Sequence, residues 1–545
     1  MATARDAAHP ADRGREAAPA APHGALETGE RRSLTLIRRF GIAGSLLLAT
    51  GSLGAGAAPV LNPVHEIAVL RLFSRATTVS LALAFAGMGI MVAAWLLLGR
   101  FTRPGRPTTA SQAQVIGTLA CWSVPLLLVP PLFSRDAYVY LAQSEIVRRG
   151  MDPYTLGPAA ALGVDDPFTM GVSNVWRDTP APYGPLFLTI GSWLNSVSGG
   201  SVILGVLAHR VLALIGIGLI VWALPRLASR FGVPPVTALW LGVANPLVLF
   251  HLVAGVHNEA IAIGLMLTGI AVGLARLPVR VSGDRPPPLR NGELAGLLIG
   301  AVLISLAATI KIQAAVALGF YGVMIARRWH GRLRDLARAA LALTVVFVTV
   351  VVTVSLATGL GFGWFESLST PARIRTWLSP VSQLANLGGL LGAHLGLGDH
   401  TDALASVLAT LGVLVAGALT VKLLLDSFRW RLRPVIGLGI AMAAIVTLHV
   451  SLHPWWLLWA VVPLAAAAAT ARFRVVAAAG SAAMAMVIPP TGSTFDGREY
   501  VLSQAYLAAA VVIVIALLLL ARAVPILPKT ALQPLAQRSR GEPAP

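Results

Sequence analysis

Apolar stretches of roughly 17–25 residues, long enough to cross a ~30 Å hydrocarbon core as helix, recur along this chain. They run from about residue 41 to residue 521. Hydrophobic residues make up 56% of the sequence and charged residues 12%, too apolar a balance for a soluble protein of 545 residues. Backbone groups in lipid must find partners inside the chain, and these stretches are too long and too uniform for barrel strands. The fold class expected is therefore an all-α polytopic integral membrane protein. About 13–14 transmembrane helices are predicted, among them 112–132, 235–252 and 257–277.

The net charge of +19 fits that topology and gives no reason to expect nucleic-acid binding, because Lys and Arg collect on the cytoplasmic loops of membrane proteins. If "RRSLTLIRR" lies inside and the spans alternate, "RFTRPGR", "PRLASR", "RRWHGRLRDLAR" and "FRWRLR" all fall on the same inner face. That face then holds most of the 42 Lys and Arg. The parity requires that the apolar "YGPLFLTIGSWLNSVSGG" not cross, so it is expected to be interfacial or re-entrant. Residues 1–35, rich in Ala, Pro and charge and lacking a signal-peptide core, are expected as a disordered cytoplasmic tail. Residues 36–522 form the membrane domain and 523–545 a cytoplasmic C-terminal tail. Two long loops, 133–201 and 361–402, fall outside, where loops of this length usually carry function. Cys121 is the only cysteine, which excludes an internal disulfide. No internal repeat of the kind common in secondary transporters is visible.

Ionisable groups inside spans are costly and mark functional positions by default. Here they are Arg210, His251, His257, Glu259, Lys311, His449 and His453, with the polar Asn245, Asn258 and Gln313. Most fall toward the outer ends of their spans, on the side of Arg135 and Asp136. Two readings stand: polar groups tolerated near an interface, or a hydrated outer cavity holding a carboxylate and several cations. Asp136 likewise has two: the N-cap of a surface-lying amphipathic helix over "AYVYLAQSEIVRR", or a general base at the mouth of a site. Trp455, Trp456 and Trp459 fit an interfacial aromatic belt or a sugar-stacking surface. Tyr183, between Pro182 and Pro185, sits on a stiffened turn roofing the site. Arg373 and Arg375 in the second outer loop suit phosphate or anionic head groups.

Four stretches in order, "FSRDAYVYLAQSEIVRRGMDPYTLGP", "TPAPYGPLFLTI", "NPLVLFHLVAGVHNEAIAIGLML" and "LHPWWLLWAVVPLA", resemble the actinobacterial polyprenol-phosphomannose-dependent α-1,6-mannosyltransferases of the MptA/MptB type. These are GT-C membrane glycosyltransferases, and the likeness runs from about residue 40 to residue 520. The resemblance implies a GT-C-like fold, a polyprenyl-phosphate-mannose donor presented from the outer leaflet, and an α-1,6-mannan of a lipomannan-type glycolipid as product. It matches Asp136 to the family's catalytic acid in the first outer loop. Related sequences often have His-Asn-Asp where this chain has His257-Asn258-Glu259.

The mechanism expected is an inverting displacement with Asp136 as general base. Lys311, His257 and Arg210 are the candidates for the donor phosphate. Arg135, Tyr183, Asn258, Glu259, His453 and Arg373 are the candidates for further substrate contacts, with Arg135 also holding Asp136 ionised. No Asp-x-Asp motif is present, although Asp165, Asp166 and Asp178 lie in the outer loop. A divalent metal is possible but not required, and no cofactor is implied. The alternatives are a lipid-linked sugar flippase or a GT-C enzyme using another polyprenyl-phosphate sugar.

Overall fold

The computed structural model describes residues 24–278, 288–370, 374–467, 470–492 and 500–524. The longer helices are α1 (Thr28–Ala55), α2 (Thr77–Leu98), α3 (Gln112–Ser123), α4 (Asp136–Arg148), α5 (Pro185–Val197) and α6 (Val202–Arg230). There follow α7 (Pro235–Gly242), α8 (Glu259–Leu274), α9 (Glu293–Ala308), α10 (Val316–Arg328), α11 (Leu333–Ala357) and α12 (Pro380–His394). The series ends with α13 (Thr401–Phe428), α14 (Pro434–Thr447), α15 (Leu458–Ala467), α16 (Ala471–Met486) and α17 (Tyr500–Ala523). Among the described residues the only strands are Gly24–Ala25 and Thr108–Thr109, one short parallel pair. The protein is an all-α polytopic membrane protein.

Among the described residues six helices are long and apolar enough to cross a membrane: α1, α2 with its extension to Phe101, α6, α11, α13 and α17. A seventh span results if Val248–Ala254 and α8, bent by 109°, count as one. The expected 13–14 is larger because hydropathy does not register breaks. Span 112–132 is helical only to Ser123, where Val124-Pro125 begins a single tight turn. Span 235–252 breaks at Asn245-Pro246, since the residue before a proline is pushed out of the α region. Asn245 satisfies that break itself: its Oδ1 accepts from Leu247 N, and its Nδ2 donates to Leu241 O and Ser481 Oγ, each at 2.9 Å.

Helix α1 begins at Thr28, within the stretch 1–35 expected as tail. Segment 133–201, expected outside, is largely helical. Helix α4 does not lie on a membrane surface: Ala137 through Ile146 are all buried, packed against α5. Helix α5 corresponds to the apolar segment that parity forbade to cross, and its 13 residues span only about 20 Å. Trp193 and Val197 on its outer face remain exposed. Small residues let the spans approach closely. A Cβ on Gly216 of α6 would lie 2.3 Å from the Ala260 carbonyl carbon of α8, so glycine there fixes where α8 starts.

Non-helical backbone at membrane depth survives only where its polar groups are satisfied within the protein. Two such segments meet here, 127–134 after α3 and 255–258 between the π-helical turn Val248–Ala254 and α8. Arg210 of α6 joins them. Its buried guanidinium donates to Leu127 O (2.6 Å), Val129 O (2.8 Å), Val253 O (3.1 Å) and Ala254 O (3.2 Å). This corrects the expected placement of Arg210 at a donor phosphate: four of its hydrogen bonds already go to carbonyls. Arg210→Met leaves those acceptors without their shared donor, at about 1–3 kcal/mol for each left unsatisfied. The variant is expected to unfold several degrees below wild type in a detergent thermal-shift measurement; an unchanged midpoint would refute the clamp.

Candidate functional site

Each broken segment delivers one side chain through a strained residue. Phe133 (φ 69°) precedes Ser134, Arg135 and Asp136; Val256 (φ 61°) precedes His257. A positive φ at a bulky or β-branched residue is unfavourable and is kept where surrounding contacts impose it, often at functional sites. The Phe133 N–H donates to Pro490 O (3.0 Å) and the His257 N–H to His251 O (3.2 Å).

The two segments place Asp136 and His257 face to face, with Oδ2 to Nδ1 at 3.5 Å. The other ring nitrogen, Nε2, lies 3.2 Å from Ser134 Oγ, and the Tyr140 hydroxyl is 3.4 Å from Nδ1. Tyr140 stands one helical turn after Asp136, on the same face of α4. The imidazole stacks on the Trp455 indole at 3.8 Å, and His453 stacks on Trp455 at 4.5 Å. Glu259, fully buried at the start of α8, has Oε2 3.9 Å from His257 Nδ1 and forms an ion pair with Lys311. Lys311 is in extended backbone between α9 and a short turn at 312–315. Its ammonium lies 5.8 Å from the Tyr183 ring and 6.0 Å from the Trp456 ring.

Asp136, Tyr183, Lys311, Gln313, His453 and Trp456 line one cavity. Tyr183 is held there by the turn after it. Gly184 N donates to Ile310 O at 3.2 Å, and a Cβ on Gly184 would lie 2.0 Å from Thr309 O. Only glycine allows that docking, so "PYGP" seats the tyrosine beside the lysine.

Asp136 is the first residue of α4, with Arg135 at the N-cap position. Among the described residues no helix N–H donates to its carboxylate, so the cap reading fails. Helix α4 belongs to segment 133–201 and is not among the candidate spans. Burial pushes the Asp136 carboxyl up to about 7; the negative charge of Glu259 adds to the rise and Lys311 pulls it back. About a quarter of the side chain, 24%, remains open to the cavity. A carboxyl poised near neutrality in a partly open cavity is suited to taking a proton from a hydroxyl. Arg135 does not hold it ionised: its guanidinium turns away to Gly171 O (3.2 Å) and Ala58 O (3.4 Å).

The structure thus brings together Asp136, Lys311, Tyr183 and His453 on the cavity wall, with His257 and Glu259 directly behind them. It does not bring Arg135 or Arg210. Asn258 is buried beside His257, facing a small separate cleft, and both its amide atoms lack protein partners among the described residues. Arg373 lies outside the described residues, and Arg375 pairs with Asp402 at 2.9 Å. Asp166 caps Phe168 and pairs with Arg149. Trp455 and Trp459 are buried in protein, not set in a lipid-facing belt. Ser134 and Tyr140 escaped the sequence reading, although the i, i+4 spacing of Asp136 and Tyr140 was a signal for the second. Among the described residues no three His, Cys, Asp or Glu side chains converge as a metal-binding group.

Two family models cover most of the chain. Residues 38–327 match the alpha-(1->6)-mannopyranosyltransferase N-terminal domain, and residues 381–518 match the MptB C-terminal domain. An alpha-(1->6)-mannopyranosyltransferase of Mycobacterium tuberculosis is 43% identical over 93% of this chain and 90% of its own length. Alpha-(1->6)-mannopyranosyltransferase B of Corynebacterium glutamicum is 36% identical over 86% of this chain and 79% of its own. Alpha-(1->6)-mannopyranosyltransferase A of M. tuberculosis is also 36% identical, over 84% of each chain. No solved structure matches. With Asp136, His257, Glu259 and Lys311 all falling inside the matched N-terminal region, the chain belongs to the MptA/MptB family of alpha-(1->6)-mannopyranosyltransferases.

Proposed function

We propose that this protein is a membrane mannosyltransferase that moves mannose from polyprenyl-phosphate-mannose to a growing α-1,6-mannan, a lipomannan- or lipoarabinomannan-type glycolipid, on the outer face of the plasma membrane. The observation that carries the reading is a carboxylate and an ammonium, Asp136 and Lys311, on the wall of one cavity. Asp136 accepts the proton of the acceptor's 6-hydroxyl as that oxygen attacks the anomeric carbon. The carbon–oxygen bond to the donor phosphate breaks, and polyprenyl phosphate leaves with the electron pair. A β-linked donor then gives an α-linked product, with inversion.

The leaving group is already a phosphate, so it needs charge stabilisation and no general acid. Lys311 supplies that charge. It is held by Glu259 and keeps 13% of its side chain exposed to the cavity. His257 acts on Asp136 and not on phosphate, because Trp455 covers its ring. Both termini are placed in the cytoplasm, following the positive-inside bias. The partners are the lipid donor, the glycolipid acceptor and the bilayer. No cofactor enters the reaction, and chelator in the assay tests that point.

The first test is mannosyl transfer by purified protein in nanodiscs, from labelled polyprenyl-phosphate-mannose to a short α-1,6-mannoside, with and without chelator. Wild type is expected to extend the acceptor. Asp136→Asn is expected to fold and lose about 10²–10⁴-fold in rate. Full activity of that variant would remove Asp136 as base, and lipid movement between leaflets without transfer would favour a flippase.

The pH profile gives a second test. A base with a pKa near 7 predicts that kcat/KM falls about tenfold per pH unit below that value and levels off above it. Glu259→Gln removes the charge that raises Asp136 and frees Lys311 to lower it. The acid limb must then move to lower pH; a limb that stays in place or moves up contradicts the assignment.

A further inference from the structure

The cavity lining has two main origins. Lys311, Gln313, His453 and Trp456 come from breaks between apolar helices. Asp136, Trp176, Pro182 and Tyr183 come from segment 133–201, expected outside. Nothing in the proposed chemistry uses Trp176.

Its setting is that of a built platform. Trp176 sits on the short helix Asn174–Arg177 and is half-buried, so the indole is neither core nor free surface. Arg177 fixes the turn by donating to Val172 O (3.1 Å) and Met170 O (3.2 Å). The chain after it is pinned by Ala181 N donating to Pro153 O at 2.8 Å. A Cβ on Gly157 would lie 2.5 Å from the Asp178 carbonyl carbon, so that neighbouring backbone also packs against the turn. An indole rigidly presented to a cavity that also holds Asp136, Lys311 and Gln313 offers one flat apolar surface. A pyranose has a matching apolar C–H face, with hydroxyls at its edge free for hydrogen bonds.

We infer that Trp176 is the stacking residue of a saccharide subsite that receives the terminal mannopyranose of the acceptor. The inference rests on the transferase reading above. The assignment to acceptor follows from those two origins. The donor's phosphate is tied to a lipid and belongs beside Lys311, among the apolar helices. The acceptor's free end arrives from water and meets segment 133–201 first. Stacking there presents a hydroxyl to Asp136 in the same cavity, with the Gln313 amide on its lining to bond others. Trp176 is thus a positioning and specificity residue and takes no part in bond making.

The experiment is calorimetric titration of linear α-1,6-mannotriose into the full chain in nanodiscs, for wild type, Trp176→Ala, Trp176→Gln and Trp176→Phe. Wild type is expected to bind. The Ala and Gln variants should lose about tenfold or more in affinity, and Phe should stay within about threefold. Thermal midpoints identify any variant that failed to fold, and Gln keeps the volume while removing the ring. In transfer assays the acceptor KM should rise in step while the donor KM stays put. Equal affinity in wild type, Ala and Gln overturns the inference, as does no binding by wild type, or a rise in donor KM alone. Wild type that binds mannotriose but transfers no mannose leaves the saccharide subsite standing and removes the transferase reading.

Discussion

Arg210 determines whether this site exists. Its guanidinium takes two carbonyls from segment 127–134 and the last two of Val248–Ala254, just before segment 255–258. Without a donor those carbonyls would drive the segments toward helix or toward water, and neither outcome leaves Asp136 opposite His257. A guanidinium suits the task because its donors lie in a fixed plane and stay charged. Lysine at 210 would be a point charge on a flexible stem, able to satisfy fewer carbonyls at once. The strained Phe133 and Val256 follow from the same constraint: once both segments are clamped, the chain must turn sharply to deliver the next residues.

Much of this was legible in the sequence, and the failures share a cause. Helix α2 and helix α17 end within a residue of the apolar runs at 77–99 and 500–522, because lipid demands long helices and composition records that demand. Span 235–252 misled, because Asn245 and Pro246 break the helix without lowering its apolarity. The surface-helix expectation for 137–149 failed for a related reason. Tyr138, Tyr140 and Gln143 look amphiphilic in sequence, yet all three are buried in the fold, Tyr140 against Phe187 of α5 and Tyr138 with its hydroxyl on Ala57 O.

The functional residues divide in the same way. Polarity inside an apolar run pointed to Lys311, His257, Glu259 and Arg210 alike. It could not separate a cation that faces a cavity from one that faces backbone carbonyls, since both are rare and both are costly. Only the fold makes that distinction, and it moved Arg210 from substrate to scaffold. Trp176 illustrates the reverse case. A tryptophan in an outer loop carries no signal by itself; its meaning comes from the turn that Arg177 fixes and the cavity that the turn faces.

The charges of the site fit together in a way no single residue shows. Glu259 and Lys311 cancel, which leaves Asp136 as the net charge on the cavity. A phosphodiester arriving beside Lys311 adds a second negative charge, and that raises the Asp136 carboxyl further and makes it a better base. In the proposed reaction Asp136 becomes neutral as it takes the proton, while the departing phosphate gains its second charge. The sum does not change; one negative charge moves from the carboxylate to the phosphate, toward the ammonium that is held ready for it. Glu259 matters for the same reason: in the proposed reaction its carboxylate competes with phosphate for Lys311, so the pair would ease product release as well as stabilise the charge that forms.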